Sequence, residues 1–390
     1  MSNRTVVLVA GALANKAGNG GEAWVRLSWA QGLERLGFDV FFIEQIEPHH
    51  CVDEAGQPAP FRASVNRAWF AKLTREYGLE GRASLLLGTG RETEGLSLAE
   101  VLDAASCAAL LVNISGHLAD PAVLSRVKRR AYIDIDPGFT QFWHALGNGG
   151  ARLHGHDLYF TIGENIGSPD CPIPTAGIDW HTVRQPVVLE NWPVTAPPDA
   201  LRFTTIGSWR GPFGRVEFAG QSYGLKVHEF RKFLDLPQRS PFCFEIALDI
   251  HPADGADLSA LQRHGWSIVD PRTVAADPSD FRDYVQASSA EFSVAQGIYV
   301  DTHSGWFSDR TVRYLASGRP ALVQDTGFDR TLPVGLGLVP FRTPAEAIRG
   351  AEQIASDYDV HARAARQLAQ EFFESDAVLT RFVEEARVAP

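Results

Sequence analysis

Ala290–Phe328 reads AEFSVAQGIYVDTHSGWFSDRTVRYLASGRPALVQDTGF, and its punctuation decides the fold. Ile298–Val300 is a short apolar run that reads as a strand. Ser304-Gly305-Trp306-Phe307-Ser308 is a small-residue turn, with Ser308 in the N-cap position of a helix spanning Asp309–Ser317. Val312, Leu315 and Ala316 recur at helical spacing, Gly318 supplies a C-terminal stop, and Pro320 prevents continuation. Ala321-Leu322-Val323 is then a buried strand, and Asp325-Thr326-Gly327 is a polar turn. A turn opening onto a helix N-terminus gathers free backbone N–H groups and a positive partial charge, which suits a phosphate.

Outward from this stretch the chain alternates strands and helices. Thr5–Ala10 is a continuous apolar run of the central parallel type. A glycine loop carrying Gly18, Gly20 and Gly21 follows it. A helix from Glu22, with Val25, Trp29, Leu33 and Leu36 on one stripe, leads to a second strand at Asp39–Ile43. Val6–Ala14 shares features with a secretory leader, but the βαβ unit that it opens favours a buried strand. Ala108–Ile114 is another strand, and His117 lies just beyond it, where open α/β sheets bind ligands. Arg130–Asp136 ends in Asp134-x-Asp136, a pair able to accept a proton, hold a hydroxyl or cap the next helix. A Pro-rich region at Pro186–Pro198 separates this half from a second α/β series, which begins at Phe203–Ile206 and runs into Ser208 and Arg210.

Ala316-Ser317-Gly318-Arg319-Pro320, the Asp325-Thr326-Gly327 turn and the Gly224-Leu225-Lys226 entry to a helix together resemble the GT-B glycosyltransferases. The order of segments is similar to the nucleotide-sugar-dependent, family-4-like retaining branch. That branch carries two glutamates where this chain has Gly305 and Arg313. The resemblance implies an α/β protein of two Rossmann-like domains facing a central cleft. It implies an acceptor-binding domain over 1–195, a nucleotide-sugar domain over 196–365, and a helix in 366–390 that crosses back. A hexosyltransferase-like activity would follow, moving sugar from a nucleoside diphosphate sugar to an acceptor that the sequence does not identify. His117 and Lys226 would be catalytic, and Lys226 would neutralise the leaving diphosphate. Gly20, Gly21, Ser208, Arg210, Ser304, Gly305, Trp306, Ser308, Asp309 and Arg310 would meet the donor. No metal and no separate cofactor are expected. Segment order and Lys226 favour retention of configuration and the absent glutamates oppose it; on balance retention is the expected outcome.

Three other activities fit parts of the pattern. A nucleotide-sugar epimerase shares the fold. A non-catalytic sugar-nucleotide sensor would need only the C-terminal site. An NAD-linked oxidoreductase would use Gly18-x-Gly20-x-x-Ala23 with Glu44 on the ribose, but Gly18 lies well beyond the strand end that such a fingerprint must follow.

Composition narrows the partners. A net charge of −11 gives no general attraction to nucleic acid. Phe61–Tyr77 is amphipathic and basic, so it reads as a surface helix or a peripheral membrane contact. No run reaches the roughly 18 apolar residues of a membrane span. Four scattered cysteines without a C-x-x-C pair fit a reducing cytoplasm. His154, His156 and Asp157 are too few, in one short loop, to argue for a metal.

Overall fold

The computed structural model describes residues 4–390 apart from 91, 197 and 199. The first sheet comprises β1 (Val6–Ala10), β2 (Asp39–Ile46), β3 (Ala83–Leu87), β4 (Glu92–Gly95), β5 (Leu110–Ile114), β6 (Arg130–Asp134), β7 (Leu158–Thr161) and β8 (Trp180–Thr182). Their spatial order is β4-β3-β2-β1-β5-β6-β7-β8, parallel throughout except for the β3–β4 edge pair. Strand order reverses between β1 and β5.

The second sheet comprises β9 (Arg202–Ser208), β12 (Cys243–Asp249), β13 (Ser267–Val269), β14 (Ala290–Ser293), β15 (Ala321–Gln324) and β16 (Leu338–Phe341). It is entirely parallel in the order β13-β12-β9-β14-β15-β16, with its reversal between β9 and β14. A separate hairpin, β10 (Val216–Phe218) and β11 (Gln221–Tyr223), follows β9. These are two Rossmann-like sheets, and each reverses strand order at one point where a ligand crevice forms.

One reading of the decisive stretch needs correcting. Ile298–Val300 belongs to a helix, Gly297–Thr302, and the strand lies earlier, at β14. Three apolar residues do not distinguish the two states. Here they are apolar because Ile298 and Tyr299 sink into an aromatic cluster between the two halves of the molecule.

The cores meet along the helix Gly20–Arg35. Trp24 packs at a tilt against Trp192, and its indole donates to the Pro278 carbonyl at 2.8 Å. The closing helices Tyr358–Phe372 and Ser375–Glu385 return to the first sheet. Phe382 sits on Trp29 and Phe160, and Arg35 pairs with Asp376 at 2.9 Å. Among the described residues, no helix is long and apolar enough to cross a membrane. The basic residues of the helix Val65–Glu76 and its approach face acids of the protein itself. Arg62 pairs with Glu92 at 3.1 Å, Arg67 with Glu94 at 2.6 Å and Lys72 with Asp277. Likewise Asp157 pairs with Arg130 at 2.8 Å and His156 Nδ1 lies 3.1 Å from the Leu153 carbonyl.

Candidate functional site

A cavity of about 430 Å³ opens between the two sheets. Its walls come from both reversal points. Lys16 beyond β1 and Ser115 and His117 beyond β5 face Gly207 and Ser208 at the end of β9 and Val294–Gln296 beyond β14. Carboxyl ends of parallel strands on either side of a reversal leave such a crevice because their connections diverge to opposite faces.

On the C-terminal side, Lys226 begins a short helix and lies over the end of β9. A Cβ on Gly207 would stand 2.6 Å from its ammonium, so a side chain there would push the lysine tip aside. Burial, with Arg310 nearby, brings the Lys226 ammonium down to about 7, against the opposing pull of Glu291. Arg310 also reaches the cavity, but its donors are engaged by Glu291 (2.7 Å), Ser293 (2.7 Å) and the Ile206 carbonyl (2.6 Å). The helix Asp309–Ala316 starts at the cavity wall. Ser308 occupies its N-cap but makes no side-chain cap bond, so the first N–H groups remain open. Burial raises the Asp309 carboxyl, and Arg313, at 3.6 Å, works against that rise.

The N-terminal side contributes Glu22, Arg26, Asp136, Tyr132, Trp143 and Arg152 beside His117. Burial, then Arg26 and Arg152, push the His117 imidazole down to about 3, so it is neutral near pH 7 and a weak proton acceptor. Asp134 and Asp136 have parted roles. Asp134 accepts from Thr140, Gln141 and Thr161, each at 2.7 Å, and is a structural anchor. Asp136 faces the cavity, and among the described residues its carboxyl has one partner, the Tyr299 hydroxyl at 3.4 Å. Burial, then the charges of Asp134 and Glu22, push its carboxyl up to about 7.

The sequence-derived residues divide accordingly. His117, Ser208, Lys226, Trp306, Ser308, Asp309 and Arg310 share the cavity. Gly20, Gly21, Arg210, Ser304 and Gly305 lie outside it. A Cβ on Gly20 would meet the Asp277 carbonyl at 2.2 Å, and one on Gly21 would meet Phe281 at 2.9 Å, so these glycines serve helix packing. Arg210 turns to Asp254 at 2.8 Å. Ser304 is fully buried, and Gly305 (φ +75°) abuts Asn165, whose N–H donates to the Ser304 carbonyl at 3.0 Å. Glu44 does not await a ribose. It is buried and accepts the N–H groups of Leu13, Ala14 and Asn15 at 2.7–2.8 Å.

Sequence reasoning missed Lys16, Arg26 and Arg152, which carry no motif. It noticed Asp136 without separating it from Asp134. The separating signal was Thr140-Gln141, polar residues at the next helix start that satisfy only the first acid.

No protein-family profile and no curated relative matches the sequence significantly. Solved structures do resemble it along the whole chain. A sucrose-phosphate synthase from Thermosynechococcus elongatus is 11% identical, with a TM-score of 0.57 and 98% of each chain covered. Anabaena HepE in complex with UDP-glucose is 10% identical, with a TM-score of 0.60, covering 98% of this chain and all of that one. A Listeria monocytogenes protein assigned as a UDP-N-acetylglucosamine 2-epimerase is 10% identical, with a TM-score of 0.50 and coverage of 98% and 96%. At these identities what is shared is the architecture, and the architecture is the GT-B fold.

Proposed function

We propose that the cavity binds a nucleoside diphosphate sugar and transfers its sugar to an acceptor hydroxyl. The observation that carries this reading is the pairing of two chemistries across one cavity. Lys226, without an ion-pair partner among the described residues, stands beside an open helix N-terminus on one side, and Asp136 on the other. Breaking the bond between the anomeric carbon and phosphate leaves charge on the diphosphate. Lys226 and the N–H groups at Ser308–Arg310 would stabilise that charge where it develops. The acceptor oxygen attacks the anomeric carbon, and the carboxylate of Asp136 takes its proton. A single displacement of this kind inverts the anomeric centre. Gly305 and Arg313, at the places of the retaining branch's glutamates, face Asn165 and Asp309 rather than the cavity.

The reading is tested by thermal unfolding with UDP-, GDP- and dTDP-sugars. A ligand at ~100 Kd stabilises by about 2.7 kcal/mol. Stabilisation by NADH and by no sugar nucleotide would overturn the reading. Sugar nucleotide converted to its epimer without transfer would assign the cavity to the epimerase alternative instead.

A further inference from the structure

The N-terminal wall carries polar groups of its own, distinct from those gathered around Lys226. Among the described residues, the side chains of Lys16, Ser115, His117 and Arg152 all line the cavity and have no hydrogen-bond or ion-pair partner. The backbone segments that carry them are fixed, while Arg152 itself stays exposed. The loop bearing Lys16 is held from one side by Glu44, through three backbone N–H groups, and from the other by Asn66, which donates to the Ala14 carbonyl at 2.8 Å. Ser115 (φ +54°) and Arg152 (φ +51°) are non-glycine residues in the left-handed region. They meet through Gly116, where a Cβ would come within 2.8 Å of both the Cβ and the carbonyl oxygen of Arg152. Strained backbone of this kind persists where the surrounding structure enforces it, and it concentrates at ligand sites.

The basic groups of this wall differ from those around Lys226, although Asp309 feels Arg26 and Arg310 alike. Lys16, Arg26 and Arg152 act on His117, whereas Arg310 and Glu291 act on Lys226. Among the described residues, three acids line the cavity, and Asp309, 3.6 Å from Arg313, stands on the opposite wall. Glu22 is ion-paired with Arg26, and Asp136 is the group already assigned to the acceptor hydroxyl. Arg152 is therefore left without a countercharge, and Lys16 feels Glu22 and Asp136 but pairs with neither among the described residues. Ser115 and neutral His117 stand beside them as hydrogen-bond partners.

We infer that this wall is an oxyanion subsite, and that the acceptor carries a phosphate or carboxylate seated between Lys16 and Arg152. Calling the bound molecule an acceptor rests on the transferase reading, whereas the oxyanion subsite does not. An arginine fork and a lysine point charge suit either oxyanion. The test is calorimetric titration of the UDP-saturated protein with glucose 6-phosphate, glucuronate and glucose, repeated without UDP. At least one anionic sugar should bind about tenfold or more tighter than glucose, with a preference that weakens as salt rises. Lys16→Ala and Arg152→Ala should each remove most of that preference and leave UDP affinity unchanged. The ratio of the two anions identifies the oxyanion class. Equal binding of all three sugars, binding of none, or a preference surviving in the double variant would overturn the inference. Anion binding in a protein that fails to bind UDP would sink the transferase reading and leave the subsite standing.

Discussion

Single residues at the cavity make the sharpest claims. Lys226 titrates near 7, so it is charged below that pH and neutral above it. Nucleotide affinity should therefore fall as pH rises through 7, because above that pH binding a diphosphate must draw a proton back onto Lys226. A charge-assisted hydrogen bond contributes roughly 1.5–3 kcal/mol, so Lys226→Ala should weaken UDP binding by about ten- to a hundredfold. Titration calorimetry between pH 6 and 9 measures both effects, and an alanine variant with unchanged affinity would refute them. Asp136 has the opposite sign. It becomes a competent base only as pH rises through about 7, so turnover should climb over that range. Asp136→Asn should lower kcat by on the order of 10²- to 10⁴-fold, abolish this limb and leave donor KM nearly unchanged. The product should carry the inverted anomer by NMR, and a retained anomer would remove Asp136 from the chemistry. Neither titration was legible in the sequence, because both arise from burial between two sheets that the chain brings together from distant segments.

At the scale of elements, the glycine loop shows how a motif can be placed correctly and interpreted wrongly. The strand, loop, helix, strand order over β1 and β2 was readable from apolar runs and glycine punctuation. What the glycines are for was not. Gly20 donates its N–H to the Ala275 carbonyl at 2.9 Å, and its missing side chain admits the Asp277–Pro278 backbone of the other half of the molecule. Gly20→Ala should therefore destabilise the protein by about 1–3 kcal/mol through overpacking, with little effect on nucleotide affinity. Thermal unfolding checks the first part, and a variant that loses UDP binding but keeps its stability would return Gly20 to the donor site. The same limit explains Ile298–Val300, an apolar run whose partners are aromatic residues of both halves. Local pattern reports that a segment is buried, and the partners that bury it determine what the segment becomes.

At the scale of the whole molecule, the two sheets look separable on paper and are not separable in packing. One continuous apolar cluster runs from Val7 and Phe42, through Trp24, Trp192 and Phe281, to Val323 and Leu338. It also takes in the last helix, where Leu379 is fully buried. Gly32 gives that helix its seat, since a Cβ there would lie 2.4 Å from Leu379. A shared core of this kind couples the stability of both halves, unlike the small polar interface of domains joined by a linker. We therefore expect one unfolding transition for the free protein, seen at the same temperature by calorimetry, far-UV circular dichroism and tryptophan fluorescence. Leu379→Ala removes buried methyl groups from the shared cluster and should cost about 2–5 kcal/mol. Because the cluster is common to both sheets, that loss should move the whole transition downward instead of splitting it. Two resolved transitions in the parent protein, or a variant in which only one half melts early, would show that the halves fold independently. In that event the cavity would be held by its ligands rather than by the core.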